Sequence, residues 1–128
     1  MKKIAVFITV VMVLVISNTK ANAETINEAE TKLSETLKLS LINSLREPVD
    51  KAIIKIYKDD KKAPKHLTWA SYETELLKIK QLNGIGGLYE ITLKVYPYYR
   101  AHISYGEDEV VINSNGELIT FKHLKTYP

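Results

Sequence analysis

Three histidines, His66, His102 and His123, are the side chains of this 128-residue chain best suited to moving a proton near neutral pH, since an unperturbed imidazole titrates at about 6.5. No two of them stand at the i, i+4 spacing that places a pair of metal ligands on one helix face. The chain has no cysteine, so a tetrahedral site would have to be assembled from separate elements, and no metal site is expected. His102 and His123 lie near the ends of two segments with strand character. Antiparallel strands can bring such ends together, which makes these two the candidate general acid and base. Ser34, Ser40, Ser44, Ser71, Ser104 and Ser114 lack a Gly-x-Ser-x-Gly setting, so a serine nucleophile has no support. Gly84-Ile85-Gly86-Gly87 has the glycine content of a phosphate loop, but no Lys-Ser/Thr follows it, and no cofactor is expected. Glu107-Asp108-Glu109 reads as a solvated strand edge without the oxygen spacing of a calcium loop.

A second group suits recognition rather than catalysis. Tyr96, Tyr98, Tyr99 and Tyr105 surround Arg100. Tyrosine offers large, rigid, amphipathic contact area and arginine a planar fork of donors, both enriched where proteins meet partners. Tyrosine is also a common strand former, and packing at strand ends is the more ordinary role for the same residues.

What must position these residues follows from the rest of the chain. Lys2 and Lys3 precede an uncharged run from Ile4 to Ile16, and Ala21-Asn22-Ala23 places small residues at the two subsites of a signal peptidase. Residues 1–23 are therefore expected to be a cleavable signal peptide, with Glu24 the first mature residue. The run is shorter than the roughly 20 residues an α-helix needs to span a bilayer core, so membrane attachment is expected only through an uncleaved leader. Lys2, Lys3 and Lys20 leave with that leader, and the 18 basic residues fall to match the 15 acidic ones. A neutral mature chain lacks the clustered basic excess that nucleic acid demands, and no nucleic-acid partner is expected. Without cysteine there is neither a disulfide framework nor a lipid-bearing first residue. No sorting motif with a hydrophobic tail follows the last strand. Secretion, free or with loose attachment to a bacterial cell wall, is the expected localisation.

Residues 24–128 suit one domain. Asn27 and Glu30 have the form of a capping box, and Leu33, Leu37, Leu41 and Leu45, with Ile42 beside them, lay an apolar stripe along a helix running to Arg46. Pro48 is expected to break or kink the rod at Glu47 and to open a second helix whose inward face holds Val49, Ala52, Ile53, Ile56 and Tyr57. Lys58 to His66 reads as a solvated linker. The period then falls to two: Glu75 to Lys80 forms one strand, the glycines at 84, 86 and 87 a turn, and Tyr89, Ile91, Leu93 and Val95 the inward face of the next. A two-residue Asn115-Gly116 turn pairs Ile112 with Ile119 and Val110 with Phe121, gathering four apolar side chains on the buried face. The predicted fold is α+β, an N-terminal helix pair or kinked helix on a four-stranded antiparallel sheet.

Taken in order, Leu45-x-x-Pro48-Val49-x-x-Ala52-Ile53-x-x-x-Tyr57, Leu77-x-Ile79, Tyr89-Glu90-Ile91-Thr92-Leu93-x-Val95, His102 with Tyr105-Gly106, and Ile119-Thr120-Phe121-Lys122-His123 resemble a family of small secreted bacterial proteins, domain of unknown function 3888. The resemblance covers nearly the whole mature chain and implies secretion and an α+β domain. It implies no activity. The residues favour a noncatalytic exported module that binds peptide, protein or cell-wall polymer through an open sheet face or the Tyr96 to Tyr105 segment. The rival expectation is a small secreted hydrolase or metal-dependent enzyme working through His102 and His123.

Overall fold

A proline decides where the first two elements part. In the computed structural model, which describes residues 28–128, helix α1 spans Glu28–Ser44 and helix α2 Arg46–Tyr57. The ring of a proline collides with the carbonyl four residues before it, which for Pro48 belongs to Ser44, the last residue of α1. The break therefore falls at Leu45, two residues ahead of the expected position, and Pro48 sits in the first turn of α2, where its missing N–H is not needed. The leader, with Ala21 and Ala23, and Asn27 of the capping box lie outside the described residues. Residues 28–36 belong to a separate unit, and Leu37–Pro128 forms a compact body. Of the leucine stripe, Leu33 and Leu37 remain exposed, whereas Leu41, Ile42 and Leu45 join the core.

Helix α2 turns Val49, Ala52, Ile53 and Tyr57 inward and lies against the last two strands of the sheet. The strands are β1 (Glu75–Gln81), β2 (Tyr89–Val95), the short hairpin strands β3 (Tyr98–Tyr99) and β4 (Ile103–Ser104), β5 (Gly106–Asn113) and β6 (Leu118–Thr126). The main sheet is antiparallel in the order β1-β2-β5-β6, with β3 and β4 forming a separate two-stranded piece. Ile91, Leu93 and Val95 of β2 and Val110 and Ile112 of β5 face the helices and are buried. Trp69, between α2 and the sheet in sequence, is also buried; its indole N–H donates to Asp50 Oδ1 at 2.7 Å and the Arg46 guanidinium lies 4.5 Å from its ring centroid.

The outward face of the sheet is a lattice of opposite charges. Directly across the strands stand Lys80 and Glu90, Lys94 and Glu109, Glu109 and Lys122, and Glu107 and Lys125. Lys94 Nζ also reaches Glu107 at 3.0 Å. Such pairs satisfy one another, which leaves that face poorly suited to capturing a charged partner.

The last turn departs from expectation. It holds three residues, Ser114, Asn115 and Gly116, closed by Asn113 N–H to the Glu117 carbonyl at 2.9 Å, with Gly116 at φ +82. The side chain of Asn113 causes this: its Oδ1 accepts the amides of Asn115 and Glu117, both at 3.0 Å. Val110 pairs with Phe121 as expected, but a bulge follows and Ile112 faces Leu118, leaving Ile119 unpaired. Ile119 (48% exposed) and Phe121 (39% exposed), on the edge strand β6, stay partly in solvent, so of the expected four Val110 and Ile112 are the two that are buried.

Candidate functional site

Strand period two carries Gly106, Asp108, Val110 and Ile112 to the same inward face of β5, and Asp108 is fully buried there. The solvated acidic edge expected at 107–109 is thus wrong for its central residue. A buried carboxylate has to be hydrogen-bonded. Tyr57 Oη, at the last turn of α2, donates to Asp108 Oδ2 at 2.8 Å, and His123 Nδ1, directly across on β6, lies 2.7 Å from Oδ1. Nε2 of the same imidazole lies 2.7 Å from Thr126 Oγ1. Burial raises the Asp108 carboxyl, against the lowering effect of the bonds from His123 and Tyr57. Burial first, and then the Asp108 carboxylate, hold the Tyr57 hydroxyl protonated far above its ordinary range.

Gly106 makes this convergence possible. A side chain at that position would run into the Tyr57 hydroxyl and would stand 2.8 Å from the Lys125 carbonyl. Next to it, the Tyr105 ring meets Tyr57 edge-on at 5.5 Å, and its hydroxyl donates to Asp60 Oδ2 at 2.7 Å. Asp60 Oδ1 accepts the Lys62 amide at 2.9 Å. The 58–66 segment is mostly exposed, as expected of a solvated linker, and is tied down as a series of turns. The Tyr105 bond, followed by the backbone amides, holds the Asp60 carboxyl below its usual range.

His102 stands elsewhere. It stacks on Tyr98 at 4.3 Å between ring centroids, with Tyr72 at 6.4 Å and Glu73 at 3.9 Å, and it is half exposed. The two candidate histidines are not brought together. Of the aromatic group, Tyr105 is spent on Asp60, and Tyr96 binds Glu75 and lies under the Lys94 ammonium. Tyr99 and Arg100 instead line a hollow of about 470 Å³ with Pro64, Lys65 and His66. His66 (φ +63) and Arg100 (φ +50) both hold a left-handed backbone, uncommon outside glycine and found preferentially at functional sites. No acidic side chain pairs with Lys65, His66 or Arg100 among the described residues.

The residues that sequence reasoning passed over are Tyr57, Asp60, Lys65, Asp108 and Thr126. Asp108 carried a usable signal, because the alternation that buries Val110 and Ile112 also points Asp108 inward. The others carried none, since their roles depend on contacts between distant segments.

The fold and its two sites define a class: a helix pair on an antiparallel meander, with a buried Tyr-Asp-His cluster and a cationic hollow beside it. The chain belongs to the family described as Protein of unknown function (DUF3888), whose pattern matches residues 37–125 and so begins where the compact body begins. No curated protein and no solved structure gives a significant match.

Gly106→Ala is expected to lower stability by about 1–3 kcal/mol, the usual range for overpacking a filled site, read as a lower urea midpoint. Asp60 sets a pH dependence. Its folded carboxyl titrates below its unfolded value, so its contribution is present above about pH 4 and is lost as pH falls through the lowered value. Thermal melting between pH 6 and about pH 3 is expected to fall less steeply in Asp60→Asn than in the wild type.

Proposed function

We propose that the protein is exported and acts outside the cytoplasm as a binding module for an anionic cell-wall polymer, with the hollow between residues 64–66 and 99–100 as the seat for a phosphate group. The single observation that carries this reading is the placing of Lys65, His66 and Arg100 around one hollow with no acidic partner among the described residues, beside a sheet on which several lysines stand directly across from carboxylates. Arginine binds phosphate through two parallel N–H bonds, lysine through a compact charge, and Tyr99 adds an aromatic wall and a hydroxyl. A module that is neutral as a whole gains its affinity from such a local concentration of cations rather than from a long-range field. The leader supports export: Lys2 and Lys3, the uncharged run and Ala21-Asn22-Ala23 form a complete export signal, with Glu24 as the mature start.

Mass spectrometry of protein from culture medium is expected to find Glu24 as the first residue. Calorimetry of that protein with a polyglycerol phosphate is expected to give binding that weakens as salt is raised, with no binding to a neutral glycan. Lys65→Ala and Arg100→Ala are each expected to weaken it about tenfold, about 1.4 kcal/mol, without shifting the melting temperature. Equal affinity for the neutral glycan, or for the polymer after both substitutions, overturns this assignment. Preference for an acidic peptide would replace the polymer as ligand.

A further inference from the structure

His123 and Thr126 stand three residues apart on β6, a spacing that puts two side chains on opposite faces of a regular strand. Here the register shifts between the Asp108–His123 and Glu107–Lys125 pairs, which leaves Leu124 without a partner. That one extra residue swings Thr126 to the face of His123. Bulges re-aim side chains in this way and are over-represented beside active sites. The result is an ordered series: Thr126 Oγ1, 2.7 Å from His123 Nε2, and His123 Nδ1, 2.7 Å from Asp108 Oδ1. Asp108 is fully buried and fixed on its other oxygen by Tyr57, while His123 is 38% exposed and Thr126 lies at the surface. A hydroxyl, an imidazole and a buried carboxylate in that order supply a nucleophile, a base and the group that orients the base.

We propose that Thr126 is a nucleophile activated by His123 and Asp108, and that the protein hydrolyses carboxylic esters at the hollow of about 490 Å³ lined by Lys62, Tyr105, Thr126, Tyr127 and Pro128. Asp108 accepts a hydrogen bond from the Nδ1–H, which holds the ring in the tautomer whose Nε2 is free to take a proton. Thr126 Oγ1 bonds to the ester carbonyl carbon as its proton passes to Nε2. The bond from that carbon to the alcohol oxygen then breaks, and the departing alcohol takes the proton from His123. The acyl group remains on Thr126. Water attacks the same carbon, gives its proton to Nε2, and Thr126 leaves with that proton as the acid is released. Lys62, in the wall of the same hollow, is the cation available to the carbonyl oxygen as charge develops there. Thr126 lies one residue beyond the stretch that matches the family, so the nucleophile is assigned to this chain and not to the family.

The full mature chain incubated with p-nitrophenyl acetate is expected to release p-nitrophenol at least about a hundredfold faster than Thr126→Ala or His123→Ala. Thr126→Ser is expected to keep the activity, and acid quenching followed by peptide mass spectrometry is expected to find acetyl on Thr126 of the wild type. The threonine is exposed, so Thr126→Ala is expected to melt as the wild type does. A wild type no faster than buffer, or a Thr126→Ala protein as fast as the wild type, overturns the proposal. Activity lost in His123→Ala but kept in Thr126→Ala also overturns it, in favour of direct attack by imidazole or water. The ester carries no charge, so its hydrolysis is independent of the cationic hollow and of polymer binding.

Discussion

A carboxylate with no exposure to solvent, Asp108, constrains everything around it. Left alone, an ionised carboxyl in such a place costs far more than a small domain can offset, so both of its oxygens must find donors. The donors come from two elements 66 residues apart in sequence: the end of α2 through Tyr57, and β6 through His123. The carboxylate thereby fixes the end of α2 over the β5–β6 ladder and requires a glycine at 106 to leave room for the phenol. Removing a single donor would strand a buried charge, a larger loss than any one hydrogen bond supplies.

Irregularities in the strands do as much positioning as the regular ladder. In β1 a bulge at Leu77 lets Leu76 and Ile79 share the inner face while Lys78 and Lys80 face water. In β6 the shift at Leu124 does the same for His123 and Thr126. The bulge at the far end of β6 absorbs the residue displaced by the three-residue turn, so that Val110 and Phe121 still meet. The sheet keeps its alternation overall by breaking it at three places.

Much of this was legible in the sequence. The period-four leucines, the interruption by Pro48 and the alternation of Tyr89 to Val95 located the helices, their boundary and the central strand, and with them the α+β class. The break was misplaced because Pro48 acts on the carbonyl of Ser44 and not on its neighbour. The last turn was misjudged because Asn115-Gly116 draws attention to itself, whereas the buried Asn113 two residues earlier sets the loop. The site was harder. His123 was singled out by type, but its partners lie 15 and 66 residues away, in Asp108 and Tyr57, and no local pattern announces such a meeting. His102 had the same chemistry on paper and a different neighbourhood in space.

Among the described residues no further strand pairs with either border of the sheet, β1 on one side and β6 on the other. Open borders invite another chain to add a strand. Lys78 and Lys80 line one border and Lys122 and Lys125 the other, so two copies approaching border to border bring ammonium groups against ammonium groups. Lys80, Lys122 and Lys125, which stand across from carboxylates within one molecule, thus repel the next, and Lys78 adds to this barrier against fibre growth along the sheet.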